Sequence, residues 1–375
     1  MSRRAARDTA AAQRLVALDL LRFVAATSVM LFHYVAIVVP RFLGDYPREV
    51  FPELTWLRFG GFGVDLFFMI SGFVILMSVW GRRPSDFLLS RVTRLFPAYW
   101  FSVVLSVAVF AATGLEHGYG PKADGVYLRF LPNLTMLQEG VGAPAMEELY
   151  WTLWVELHFY ALIGVLVFWD ITYSRCVAFM SGWLVLSAFA TEVDSALLET
   201  VLISRWAPYF IAGMAFYLIH RFGSNLVCWL LVAFCWALMV RHSMPVENGT
   251  RWWPGVHEWA CPGIVTAIFV AMALVATGRL GWIRWRGLTT LGALTYPVYL
   301  VHMIVLRVVG HYWYPELGRW PVLALCVGTS LLIAYACHRW IERPGGRWLR
   351  RRLVAALEGI RQADARDRAA VPERV

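Results

Sequence analysis

Arg22 and His33 lie eleven residues apart within one apolar run, from Leu18 to Tyr34. At about 3.6 residues per turn, eleven steps return to within roughly 20° of the starting face. The guanidinium and the imidazole therefore share one stripe of a helix, roughly 16 Å apart along its axis. A neutral imidazole can take a proton from a hydroxyl near neutral pH, so the chemistry on offer at His33 is that of a general base. Placing ionisable groups among lipid chains costs from about 2.5 kcal/mol upward, which makes an intramembrane Arg and His candidates for function. The bland alternative is an Arg snorkelling from the helix end and a His bonded to a neighbouring helix. Asp19, three residues before Arg22, can pair with it within one turn.

Further along, Arg91 and Arg94 stand one turn apart in the stretch from Ser90 to Trp100. Two such forks can hold phosphates, although an Arg-x-x-Arg at a membrane edge can also be plain inside-facing charge. The segment Gly60 to Val74 opens a span with glycines suited to close helix approach, and Asp65 sits at its outer end. Glu156 lies in an apolar segment with Thr152 and Tyr160 on its own face, so it should point into the bundle rather than at lipid. The segment Leu294 to His302 adds Tyr296, Tyr299 and a second intramembrane His, for which an interhelical hydrogen bond is the competing explanation.

These residues need a membrane frame to position them. The chain of 375 residues is 59% hydrophobic and only 16% charged, with mean hydropathy +0.58, well below the charge content of about 25% in a soluble domain. Apolar segments at 16–39, 61–80, 95–113, 151–169, 176–191, 202–219, 226–240, 260–277, 288–309 and 320–338 predict ten spans. The fold class expected is an all-α polytopic membrane helical bundle of about ten transmembrane helices. On one set of connections, including both chain ends, lie 23 Lys and Arg residues against nine on the opposite set, which places both termini in the cytoplasm. Expected divisions are a cytoplasmic segment 1–14, a membrane domain 15–345 and a basic, partly disordered cytoplasmic tail 346–375. The net charge of +9 is spread over short loops and the tail, with no polar domain to carry it, which argues against a nucleic-acid surface. The six cysteines lack zinc or disulfide spacing and read as packing residues, and no metal site is expected.

Taken together, the segments resemble the acyltransferase-3 family of integral membrane O-acyltransferases. The likeness rests on the Arg22-to-His33 spacing, GVDLFFMISGF at 63–73, RVTRLFPAYW at 91–100, WTLWVE at 151–156, LTYPVYLVH at 294–302 and RWIERP at 339–344. The resemblance implies a cell-membrane (inner-membrane) enzyme that moves an acyl group, usually acetyl, from acyl-coenzyme A to a hydroxyl. The acceptors it implies are sugars, polysaccharides, lipids or macrolide-like metabolites. It also implies that His33 is the essential histidine, Arg22 its basic companion, and Arg91 with Arg94 the grip on the donor's nucleotide part. Many members carry Glu-Gln after the first Glu of the fourth block; here Leu157 and His158 stand there, which puts in doubt any role needing paired carboxylates.

The expected site therefore comprises His33 and Glu156 for catalysis, Arg22, Arg91 and Arg94 for acetyl-coenzyme A, and Asp65, Tyr296, Tyr299 and His302 for the acceptor and oxyanion. The rival from another class is a proton-coupled transporter or flippase, in which His33, Glu156, Arg22 and His302 would form a relay. Broken helices in paired positions would favour it, and the sequence has none.

Overall fold

The computed structural model describes residues 15–37, 51–115, 126–244, 259–285 and 287–370. The expected segment 1–14, together with Arg41, Arg48, Lys122, Arg251, Trp252 and Trp253, lies outside the described residues. Every regular element among the described residues is helical. Among the described residues, nine helices are long and apolar enough to span a bilayer, and a tenth apolar helix, Ala260–Ala276, has 17 residues. The multi-pass helical bundle expected from the sequence is thus the fold.

Helix α1 (Val16–Phe32) continues into a π-helical turn, His33–Ile37. A 3-10 stretch, Pro52–Phe62, leads into α2 (Gly63–Val79). Helix α3 (Pro84–Thr113) begins with Pro at its first turn, where no N–H is needed, and ends on Gly114 in the left-handed region. There follow α4 (Val126–Leu134), α5 (Trp151–Phe168), α6 (Tyr173–Glu192) and the short α7 (Ala196–Leu202). Helices α8 (Ala207–Phe222), α9 (Leu226–Ser243), α10 (Ala260–Ala276), α11 (Gly287–Leu317) and α12 (Arg319–Cys337) complete the bundle. A second π-helical turn, His338–Glu342, carries α12 into α13 (Arg343–Ala370).

Two helices form the centre. Every residue of α8 from Ala207 to Ile219 is buried, the pattern of a helix apolar on all sides. Helix α11 is nearly as enclosed, and both α1 and α12 pack along it. Helix α2 crosses α8 at backbone distance: a Cβ on Gly72 would collide with the Phe210 carbonyl, and one on Gly213 with the Met69 carbonyl. Small residues at such a crossing let dispersion forces act between backbones, the main attraction available where lipid is as apolar as leucine. Gly60 and Gly63 do the same for the approach of α1, against the carbonyls of Ser28 and Ala25. All six cysteines are buried in the bundle, as packing residues should be.

Three boundaries differ from expectation. Helix α3 starts at Pro84 rather than near residue 95, so Arg91 and Arg94 lie inside a helix and not at its entrance. The charges of that stretch had marked it as a connection, but the Pro at its first turn starts the helix earlier. Helix α11 runs through Pro315 to Leu317 instead of stopping near 309. The tail, expected to be partly disordered, is helical from Arg343 to Ala370, in keeping with its many strong helix formers Ala, Arg and Leu. Where α13 leaves α12 it lies against α3: a Cβ on Gly345 would meet the Pro97 side chain at 3.1 Å, and one on Gly346 the Thr93 carbonyl at 2.9 Å.

The α2–α8 crossing sets a stability test. Gly213→Ala should destabilise the bundle by about 1–3 kcal/mol, because neither backbone can yield cheaply. Gly164→Ala, whose Cβ would meet nothing within 4 Å, should leave the thermal unfolding of detergent-purified protein unchanged. Equal melting temperatures for the two variants would remove the close crossing as a source of stability.

Candidate active site

A cavity of about 780 Å3 opens between α1, α2, α3, α5 and α11. Its polar lining comes from Arg22, Arg91, Arg94, Glu156, Tyr160 and Tyr296, with Ser71, Thr152 and Tyr299 beyond them. A second chamber of about 890 Å3 shares Arg22, Arg94 and Tyr296 with the first and adds Asp19, Gly292 and Glu342. Arg22 and Arg94 therefore stand on the border of two adjoining spaces.

The spacing read from the sequence accounts for this convergence. Arg91 and Arg94, one turn apart on α3, both reach the cavity, but in different settings: Arg91 is buried and Arg94 is exposed. The Arg91 guanidinium lies 5.9 Å from the Phe87 ring and 6.0 Å from the Tyr160 ring, and its Nη2 donates to Ser90 Oγ at 3.0 Å. Its buried Nε–H has no acceptor in the protein. Such an orphaned donor normally costs about 1–3 kcal/mol, a cost that an anion entering the cavity would offset. Arg22 lies 4.0 Å from Asp19 Oδ1, a loose pair that leaves it free to face the cavity.

Glu156 is the one carboxylate on the inner cavity, against three guanidinium groups. Its Oε1 accepts from Tyr160 Oη at 2.6 Å, one turn along α5, and from Ser71 Oγ on α2 at 3.2 Å. Those bonds fix its rotamer and leave the cavity with an excess of positive charge. Tyr296 donates to the Leu95 carbonyl at 3.2 Å, and Tyr299 Oη meets Thr152 Oγ1 at 2.8 Å.

His33 does not line this cavity. It lies past Tyr299, whose ring is 5.8 Å from that of His302. His302 Nε2 is 3.2 Å from His33 Nδ1, which also faces the Val29 carbonyl at 2.9 Å. The helix stripe is as expected, since Arg22 meets the α11 residue Tyr296 at the cavity and His33 meets His302 on the same helix. Neither His33 nor His302 lines the cavity, whereas Phe67 and Tyr299, with ring centroids 6.1 Å apart, do.

Two expected acceptor residues lie elsewhere. Asp65 is buried between α2 and α8, hydrogen-bonded to Tyr209 and beside Arg205, and does not line the cavity. A tyrosine on the neighbouring helix satisfies it. His302 is fully buried and has both ring nitrogens engaged, so it offers no atom to an acceptor.

Sequence reasoning also missed a buried ion pair. Arg307 Nη1 and Nη2 bond Glu147 Oε1 and Oε2 at 3.1 Å each, and Ser106 Oγ donates to the same carboxylate. The pair ties α11 to the segment entering α5, from which Tyr150 Oη meets Ser102 Oγ at 2.8 Å. The one available signal was Arg307 itself, a cation in an apolar run that must find a carboxylate, though its partner lies 160 residues away.

Fold and cavity together define a multi-pass membrane protein with an anion-attracting chamber inside its helical bundle. Comparison with known proteins makes the class specific: the acyltransferase-3 family model, described as an acyltransferase domain, matches residues 15–339, and the chain belongs to that family. It is 28% identical to the exopolysaccharide production protein ExoZ of Rhizobium meliloti (strain 1021), over 80% of this chain and 94% of that protein. It is 26% identical to nodulation protein 10 of Rhizobium leguminosarum bv. viciae, over 90% of this chain and 94% of its relative. No solved structure matches it.

The ion pair generates a prediction. Removing one partner, as in Glu147→Leu, strands a charge in the bundle and should cost about 3–5 kcal/mol. The double variant Glu147→Leu with Arg307→Met should recover much of that loss, measured as thermal stability in detergent. A double variant less stable than either single one would contradict this account.

Proposed function

We propose that this protein is an O-acyltransferase that moves an acyl group, acetyl in the first instance, from acyl-coenzyme A to a hydroxyl of a surface carbohydrate. The observation that carries the reading is the gathering of Arg22, Arg91 and Arg94 around one cavity inside the bundle. Three guanidinium groups against one carboxylate suit a polyanionic ligand, and the unpaired Nε–H of Arg91 provides a buried donor for it. The pyrophosphate of coenzyme A has that charge and that acceptor geometry. The basic side of the bundle, from which the arginine chambers would fill, is taken as cytoplasmic, with both termini there.

In this mechanism Arg91 and Arg94 hold the phosphates while the pantetheine arm extends past Arg22 toward α11. The Phe67 and Tyr299 rings part to admit the thioester, and the acceptor approaches from the opposite face. His33 Nε2 takes the hydroxyl proton as the oxygen attacks the thioester carbon. A C–O bond forms and the C–S bond breaks; the departing sulfur recovers the proton from His33, giving ester and free thiol. Tyr299, the cavity tyrosine whose ring lies 5.8 Å from that of His302, is assigned to the oxyanion. Glu156 is assigned to orienting Tyr160 beside Arg91 rather than to proton transfer from the acceptor, since it shares its cavity with the arginines and not with His33. A carbohydrate acceptor is favoured by the likeness to a protein named for exopolysaccharide production.

The test uses purified protein in sealed proteoliposomes with labelled acetyl-coenzyme A and host polysaccharide. Label should become covalently attached to carbohydrate, and His33→Ala should lower the rate by about 10²-fold or more. Arg91→Ala with Arg94→Ala should weaken donor binding by about 10- to 100-fold, the loss expected for one or two charge-assisted hydrogen bonds. Full transfer by His33→Ala would overturn the assignment of the base. Movement of unmodified substrate across the bilayer with no ester formed would favour the transporter reading instead.

A further inference from the structure

We infer that His302 is a positioning residue, whose imidazole receives the Nδ1–H of His33 and so holds His33 Nε2 free as the base. His302 Nδ1 faces two carbonyl oxygens, of Val298 at 3.1 Å and Tyr299 at 2.8 Å. Carbonyls only accept, so the proton of a neutral His302 must sit on Nδ1 and its Nε2 must carry a lone pair. That lone pair lies 3.2 Å from His33 Nδ1. His33 Nδ1 in turn faces a second pure acceptor, the Val29 carbonyl at 2.9 Å. Both neighbours accept, so His33 carries its own proton on Nδ1, shared between them, and Nε2 is left bare.

The surroundings fix this pair from both sides. His302 is fully buried, and Tyr34 Oη donates to its backbone carbonyl at 3.0 Å while also meeting Ser330 Oγ at 2.6 Å. His33 opens a π-helical turn, a local departure from the α-helix that recurs at functional sites. No carboxylate pairs with either imidazole among the described residues. A carboxylate is the usual partner that orients a catalytic histidine; here a neutral ring does so, without burying a charge beside the base. The Val29 carbonyl provides one acceptor for the His33 Nδ1–H, and His302 Nε2 adds a second at a different angle.

The use of His33 as a base rests on the acyltransferase reading, whereas the tautomer and its dependence on His302 do not. The experiment therefore has a substrate-free arm. Full-length protein with ring-labelled histidine in lipid bilayers is examined by solid-state NMR, and His33 is identified by its absence in His33→Ala. A single Nδ1-protonated form is expected for His33, and its Nδ1 resonance should shift in His302→Leu as one of its two acceptors is lost. A proton on His33 Nε2 in the unsubstituted protein, or no change in His302→Leu, overturns the inference even if acyl transfer is found.

The second arm measures transfer. His302→Leu and His302→Asn should lower kcat by about 10- to 100-fold, within the ~10²–10⁴ that general-base catalysis supplies. The KM for the donor should stay within about twofold, because no donor contact is lost. His302→Gln, which can place an amide oxygen near the former Nε2, should recover most of the rate. Gln falling as far as Asn would overturn the positioning role, and that comparison stands even if His302→Leu does not fold.

Discussion

A guanidinium inside an apolar bundle persists only beside water, a carboxylate or another anion, and the arrangement of α1, α3, α5 and α11 follows from that requirement. Each of these helices carries ionisable groups that lipid would not accept. Turning all of them inward puts Arg22, Arg91, Arg94 and Glu156 on one cavity. Arg307, one step deeper in the same logic, is neutralised outright by Glu147. The contrast separates two kinds of intramembrane cation: one satisfied bidentately and structural, the others left facing open space.

That inward turn is possible because the rest of the bundle is held without polar help. The all-apolar α8 and its glycine crossing with α2 provide a rigid floor, on which Ser71 is aimed at Glu156. From there the bonding passes through Tyr160 toward Arg91, so the rotamers facing the cavity are set by α2 and α5 together. On the far side of Tyr299 the histidine pair is fixed by backbone carbonyls of its own two helices. Two polar groups, each internally ordered, thus lie to either side of Tyr299.

Much of this was legible in local spacing. The eleven-residue interval on α1, the one-turn interval of Arg91 and Arg94, and the Glu156–Tyr160 pair are all properties of a single helix, and each is realised. Relations between helices were not legible. Asp65 meets Tyr209 and His302 meets His33 across long stretches of sequence, and periodicity carries no information about such partners. The absence of His33 from the arginine cavity has the same origin, since it depends on how α1 packs against its neighbours. The early start of α3 was hidden for a different reason: charge marked the segment as a connection, while Pro84 in fact opens a helix that carries both arginines.

The seating of α13 on α3 ties the far end of the chain to the rim of the arginine chambers. Gly345 and Gly346 press on Thr93 and Pro97, the immediate neighbourhood of Arg94, and Glu342 just before them borders the outer chamber. The terminal helix is thus a brace for the rim of those chambers rather than an appendage. A chain shortened ahead of Gly345 would keep every side chain that lines the cavities and still lose the prop that steadies one of them.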